Sequence, residues 1–145
     1  MIQVRVSISI ERPPEEVFRY LSNFENNPKW QSGMIDATFT SRGDLREGST
    51  YDQVATFLGK EIRTTFVVTL YKPYDRIQIK SVKSTFPITV TREVDLTDNG
   101  SLVTAIVEGE PGGLFNILKP LLQKMVQRSV TKDYENLKQI LEQKS

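Results

Sequence analysis

The chain opens on an alternation. Ile2, Val4, Val6, Ile8 and Ile10 are apolar, and Gln3, Arg5, Ser7 and Ser9 between them are polar. A period of two marks a strand with one buried face. Pro13-Pro14 ends it, and Glu15-Glu16 suit the positive end of a helix dipole. Val17, Phe18, Tyr20 and Leu21 then read as one side of a short helix. Asn23 to Trp30 reads as a second short helix or turn, stopped near Pro28.

From Gly33 the pattern becomes strands separated by turn signals. The candidates are Met34–Ser41, Ser49–Leu58, Glu61–Lys72, Arg76–Val82, Thr85–Thr97 and Ser101–Glu110. Turns are expected at Gly59-Lys60, Pro73-Tyr74, Lys83-Ser84 and Asn99-Gly100. Each hairpin fixes which residues face each other. The expected partners are Gln53 with Phe66, Tyr51 with Val68, Leu70 with Ile77, Val68 with Ile79, Ile77 with Val90 and Val94 with Ala105. One face of this meander collects nearly all the large apolar residues, and a one-residue slip would turn that set into water.

After Glu110-Pro111-Gly112-Gly113 the period changes. Leu114, Ile117, Leu118, Leu121, Leu122, Met125, Val126, Val130, Tyr134, Leu137 and Leu141 recur at three and four. This predicts one long amphipathic helix, with Pro120 in its first turn or at a kink. The expected fold is α+β: a seven-stranded curved antiparallel sheet wrapped on a long C-terminal helix, with two short helices after the first strand. Such a sheet cannot close tightly on one helix everywhere, so a cavity is expected between them.

Composition narrows the chemistry. The length of 145 residues fits one domain, residues 1–145. There is no Cys and no His, which removes thiolate nucleophiles, Ser–His and Cys–His pairs and the commonest transition-metal ligands. No metal or cofactor is called for, and no catalytic residue is assigned. The balance of 19 Lys+Arg against 18 Asp+Glu argues against a nucleic-acid partner. No leader pattern and no membrane-spanning apolar run is present, so a cytoplasmic location is expected.

The segment Ile8-Ser9-Ile10-Glu11-Arg12-Pro13-Pro14-Glu15-Glu16-Val17-Phe18 resembles the start of START-like (SRPBCC) domains, which include polyketide cyclase/dehydrase-like proteins. Leu21-Ser22-Asn23, Pro28-Lys29-Trp30, the Asp98-Asn99-Gly100-Ser101 turn and the closing Lys132-Asp133-Tyr134-Glu135-Asn136-Leu137 extend the resemblance along the chain. It implies a helix-grip fold and a cavity for a small hydrophobic molecule: a lipid, a steroid or a polyketide. It also implies an alternative, a cyclase/aromatase-type enzyme using the same cavity. It transfers no catalytic residue.

By parity, the polar residues on the inward face are Tyr51, Gln53, Thr64, Ser81 and Arg92. With Phe66, Ile79 and the helix residue Met125 they form the set of candidate cavity-lining residues. Arg92 interrupts an otherwise apolar run and would suit a ligand carboxylate, phenolate or enolate. Two other fates remain open for it: an ion pair with Asp75, placed opposite by the hairpin arithmetic, or a bulge that turns it outward. Trp30 reads either as a cavity-mouth residue or as the packing of the short helices on the sheet.

Overall fold

The computed structural model describes residues 1–57, 59–83, 86–110 and 117–143. Strand β1 (Ile2–Ile10) leads to helix α1 (Pro14–Ser22), a 3-10 turn (Phe24–Asn26) and the short helix α2 (Asn27–Trp30). Six strands follow: β2 (Met34–Phe39), β3 (Thr50–Phe57), β4 (Lys60–Lys72), β5 (Arg76–Lys83), β6 (Ile88–Thr97) and β7 (Gly100–Gly109). Helix α3 (Lys119–Gln143) closes the fold. The seven strands form one antiparallel sheet in the order β1-β7-β6-β5-β4-β3-β2. The architecture is the expected α+β helix-grip arrangement.

The local reasons are the expected ones, with two adjustments. Pro14 opens α1, where a missing N–H costs nothing, and the helix buries Val17, Phe18 and Leu21. Pro28 lies at the start of α2 rather than stopping a helix, for the same reason. Lys119-Pro120 starts α3, so Pro120 sits in its first turn without a kink. Leu114 lies outside the described residues. Ile117, Leu118, Leu121 and Met125 are exposed, and the helix buries its apolar side from Leu122 onward through Tyr134, Leu137 and Leu141.

The hairpins differ from the expected register in a systematic way. The β3–β4 ladder closes at Phe57 with Lys60, and the β6–β7 ladder at Thr97 with Gly100. Both turns therefore sit one residue earlier than expected, and partners shift by two: Tyr51 faces Phe66, Gln53 faces Thr64 and Val94 faces Val103. A shift of two keeps every side chain on its face, so the buried set survives. Between β5 and β6 the shift is the same, with Ile77 opposite Arg92 and Ile79 opposite Val90. The turn expected at Lys83-Ser84 falls partly outside the described residues.

Between β4 and β5, Val68 faces Ile79 as expected, but a bulge between Val68 and Leu70 puts Tyr71, not Leu70, opposite Ile77. The extra residue lets Pro73-Tyr74-Asp75 make the turn, with Tyr74 at φ 66°. A second bulge between Thr65 and Phe66 and one in β2 between Met34 and Asp36 add bend, which is how the long β4 curls around the core.

Helix α3 packs chiefly along β1. Gln123 Nε2 donates to Gln3 O at 2.7 Å, Lys138 Nζ donates to Ser9 O, and Glu142 Oε2 accepts from Glu11 N at 2.9 Å. The helix is thereby fixed to one margin of the sheet. The concave surface of β3 to β7 faces α2 and the inner side of α3, and that is where the site lies.

Candidate functional site

A cavity of about 170 Å³ lies between the sheet, α2 and α3. Its deep end is formed by buried residues: Trp30 from α2, Tyr51, Phe66 and Arg92 from the sheet, and Asp133 and Tyr134 from α3. Its other side is half-buried and apolar, with Ile88, Val90, Val107 and Val130. Larger hollows of about 570 and 450 Å³ exist on the surface, but they are open and shallow. The cavity, not those hollows, gathers the buried polar groups.

Arg92 is at its centre. The β6 register points it inward, where it is only 5% exposed. It is not paired with Asp75: β5 is shifted by two, so Ile77 stands opposite, and Asp75 instead accepts Val94 N through its backbone carbonyl at 2.8 Å. The neighbouring cation Arg76 takes the cross-strand ion pair, with Glu93 at 3.0 Å. Nor does a bulge interrupt the β5–β6 ladder at Arg92. Its Nε donates to Tyr134 Oη at 2.9 Å, and its Nη1 donates to Leu21 O at a long 3.4 Å. Its guanidinium carbon sits 5.1 Å from the Trp30 ring centre, a cation–π distance. Among the described residues no carboxylate forms an ion pair with it and no hydrogen bond occupies Nη2.

The other sequence candidates divide. Tyr51, Gln53, Phe66 and Ile79 join Arg92 in lining the cavity. Thr64 is buried on the same face but does not line it, and Ser81 is half-buried, its Oγ accepting Ile88 N at 2.9 Å. Met125 is 39% exposed and lies away from the cavity. Tyr51 stacks between Phe24 and Phe66, at ring distances of 4.4 and 5.3 Å, and its hydroxyl lies 3.4 Å from Gln53 Oε1. Trp30 does both things expected of it as alternatives: it is buried edge-on against Tyr134 at 4.9 Å, and it lines the cavity.

Sequence reasoning missed Asn27, Gln31, Asp133 and Tyr134 as cavity residues. Asp133 had a legible signal. Val130, Asp133, Tyr134 and Leu137 follow the three–four spacing of the buried face, and a carboxylate in that series is out of place. In the structure Asp133 is 8% exposed and its Oδ1 accepts Ser32 N at 2.8 Å. Asn27, Trp30 and Gln31 share another property: both amide atoms of Asn27, Trp30 Nε1 and Gln31 Nε2 are enclosed without a protein hydrogen-bond partner. Such atoms cost about 1–3 kcal/mol each when left dry, so their gathering around one cavity needs an occupant, water or ligand.

The electrostatics follow from burial. Asp133 is pushed above the usual carboxylate range by desolvation, opposed by the Ser32 bonds and by the positive charges of Lys132 and Arg92. Tyr51 and Tyr134 are pushed up by burial, opposed by Arg92, so both remain neutral hydroxyls at pH 7. Tyr134 accepts from Arg92 and keeps its own proton to give. Arg92 Nη2 and Tyr134 O–H are therefore two adjacent donors, and an oxygen with spare lone pairs would satisfy both. Among the described residues no group of three or more His, Cys, Asp or Glu is placed to hold a metal ion. No helix among them is long and apolar enough to cross a membrane.

A family profile described as polyketide cyclase / dehydrase and lipid transport matches residues 1–142. The chain is similar to the solved structure of TTHA0849 from Thermus thermophilus, with 22% identity, a TM-score of 0.85 and 99% of each chain covered. It is similar to a START superfamily protein from Mycobacterium smegmatis, with 14% identity, a TM-score of 0.82 and 100% of both chains covered. It is also similar to part of the di-domain ARO/CYC StfQ from the steffimycin biosynthetic pathway, with 14% identity and a TM-score of 0.76. There 94% of this chain matches 49% of that one. At these identities the structural likeness speaks for the fold alone. No curated protein sequence matches the chain.

Proposed function

The chain belongs to the polyketide cyclase / dehydrase and lipid transport family, and from that premise we propose that it holds a small hydrophobic ligand in the cavity between the sheet and α3. The ligand's oxygen-bearing end lies against Arg92 and Tyr134, and its apolar part runs along Phe66, Ile79, Val90 and Val107. The observation that carries this reading is the buried guanidinium of Arg92 without an ion-pair partner. A cation enclosed for structural reasons is normally neutralised by a carboxylate, because desolvation of an ion costs several kcal/mol. Here its nearest bonds go to a neutral hydroxyl and a backbone carbonyl.

Size limits the ligand. Sites for drug-sized molecules run to about 300–1,000 Å³, whereas a cavity of about 150 Å³ takes a benzene-sized guest. At about 170 Å³ the space fits one ring or a short branched chain. A lipid or steroid would have to extend past Ile88 and Val130. A second reading, an enzyme of the cyclase/aromatase kind, draws on Asp133, a carboxylate lining the same cavity as Arg92.

Native mass spectrometry of protein purified from its source tests the holding function. A bound mass of a few hundred daltons or less, released on denaturation and lost from Arg92→Met, is the expected result. Empty protein in both, or the same ligand carried equally by both, rejects the role given to Arg92.

A further inference from the structure

Among the described residues, Arg92 is the only buried cation and Asp133 the only buried carboxylate, and both line this one cavity. They come from opposite walls, Arg92 from β6 and Asp133 from α3, yet they form no ion pair. A structural pair would have closed on itself, since two opposite charges in a dry interior gain most at contact. Each is instead held back by other groups: Arg92 by Tyr134, Leu21 and the Trp30 face, Asp133 by Ser32 N. The space between them is open and of ring size.

We propose that the cavity moves a proton at the carbon next to a carbonyl group, with Asp133 as the base and Arg92 and Tyr134 holding the oxygen, on ketones of about one ring. In the step the α C–H bond breaks and its proton passes to the Asp133 carboxylate. The bonding pair forms the carbon–carbon double bond, and the carbonyl pair moves onto oxygen. The resulting enolate oxygen accepts from Arg92 Nη2 and Tyr134 O–H. Return of the proton to carbon or to oxygen gives ketone or enol and restores the carboxylate. No oxidant, metal or co-substrate enters the balance.

Three features of the site suit this chemistry. Positioned donors at a developing oxyanion are worth most where water is excluded. A carboxylate made more basic by burial is a better match for a weakly acidic C–H, and an Asp beside a tyrosine-containing oxyanion site is an arrangement known to perform it. The absence of His removes the usual alternative base. The inference rests on the ligand-holding reading, because the ketone must first enter the cavity, and it goes further by naming the substrate class and the reaction.

The experiment follows hydrogen–deuterium exchange at the α-carbon of cyclohexanone in D2O by proton NMR, with binding of the same ketone read by saturation transfer. Wild-type protein is expected to accelerate exchange by at least about 100-fold over buffer. Asp133→Asn, whose amide oxygen still accepts Ser32 N–H, is expected to bind the ketone, keep its folded spectrum and lose about 100-fold or more of that rate. Arg92→Met is expected to lose both exchange and much of the binding. Bound ketone that does not exchange, or equal exchange in wild type and Asp133→Asn, overturns the base while leaving the holding function standing. Cyclohexanone that does not bind overturns the substrate class, and the native mass measurement then decides the holding function by itself.

Discussion

Replacing Arg92 with methionine separates a structural from a ligand-directed guanidinium. Methionine has similar length and no charge, and it packs into irregular apolar space. The substitution removes the 2.9 Å bond to Tyr134, worth about 1.5–3 kcal/mol for a charged donor, and a long 3.4 Å bond to Leu21 O worth less. It also removes the contact with the Trp30 face, worth about 1–2 kcal/mol when desolvated. Against these losses stands the desolvation of a guanidinium with no ion-pair partner, several kcal/mol that the variant no longer bears. The two sides nearly cancel. Urea denaturation should therefore place Arg92→Met within about 2 kcal/mol of wild type, with an unchanged m-value. Ligand-dependent stabilisation should disappear from the variant. A loss of about 4 kcal/mol or more in the ligand-free protein would mark Arg92 as a keystone of the fold and refute the reasoning.

Three other substitutions probe the surroundings. Phe66→Ala removes a ring that is 2% exposed and stacked on Tyr51, and should cost about 3–5 kcal/mol by denaturation while widening the cavity for larger ligands in a binding assay. Gly100→Ala introduces a Cβ against Ile10 O and 2.7 Å from Arg12 N, at a φ of +150°, and thermal denaturation should show about 1–3 kcal/mol of loss. For Asp133 the folded protein binds its proton more tightly than the unfolded chain, since burial raises its pKa. Wild type should therefore lose stability relative to Asp133→Asn as pH rises through the carboxylate range, and regain it as pH falls below about 4. Denaturation curves at pH 3.5 and 7 that differ in the opposite sense would contradict the burial.

The inward wall was legible because a strand has a period of two. Turn positions read one residue late at Asn99-Gly100 and Gly59-Lys60 shifted partners by two, which left Tyr51, Gln53, Phe66, Ile79 and Arg92 facing inward. What the shift did alter was identity across the ladder, and so Asp75 was set opposite Arg92 where Ile77 stands. The bulge between Val68 and Leu70 had no sequence mark, since it arises from how β4 must curl. The helix side was harder. Periodicity at three and four says that a residue lies on a face, but not whether the sheet reaches it. Met125 fits the stripe and is exposed because α3 reaches its burial from Leu122 onward on another side, whereas Asp133 fits the stripe and was passed over because it is charged. The volume of the cavity depends on how the rings of Trp30, Tyr51 and Tyr134 fill the curve, and periodicity carries nothing about that.

Trp30 offers a direct observation of the site. It is the chain's single tryptophan, so its indole N–H gives one isolated nitrogen–proton NMR signal, and Nε1 is buried at the cavity without a protein partner. That signal should shift in a saturable way as a small ring ketone is titrated into wild-type protein, together with backbone signals of Arg92 and Tyr134, and should stay in place when the same ketone meets Arg92→Met. Saturable shifts confined to the surface, with the Trp30 indole unmoved, would mean that the cavity between the sheet and α3 does not hold the ligand.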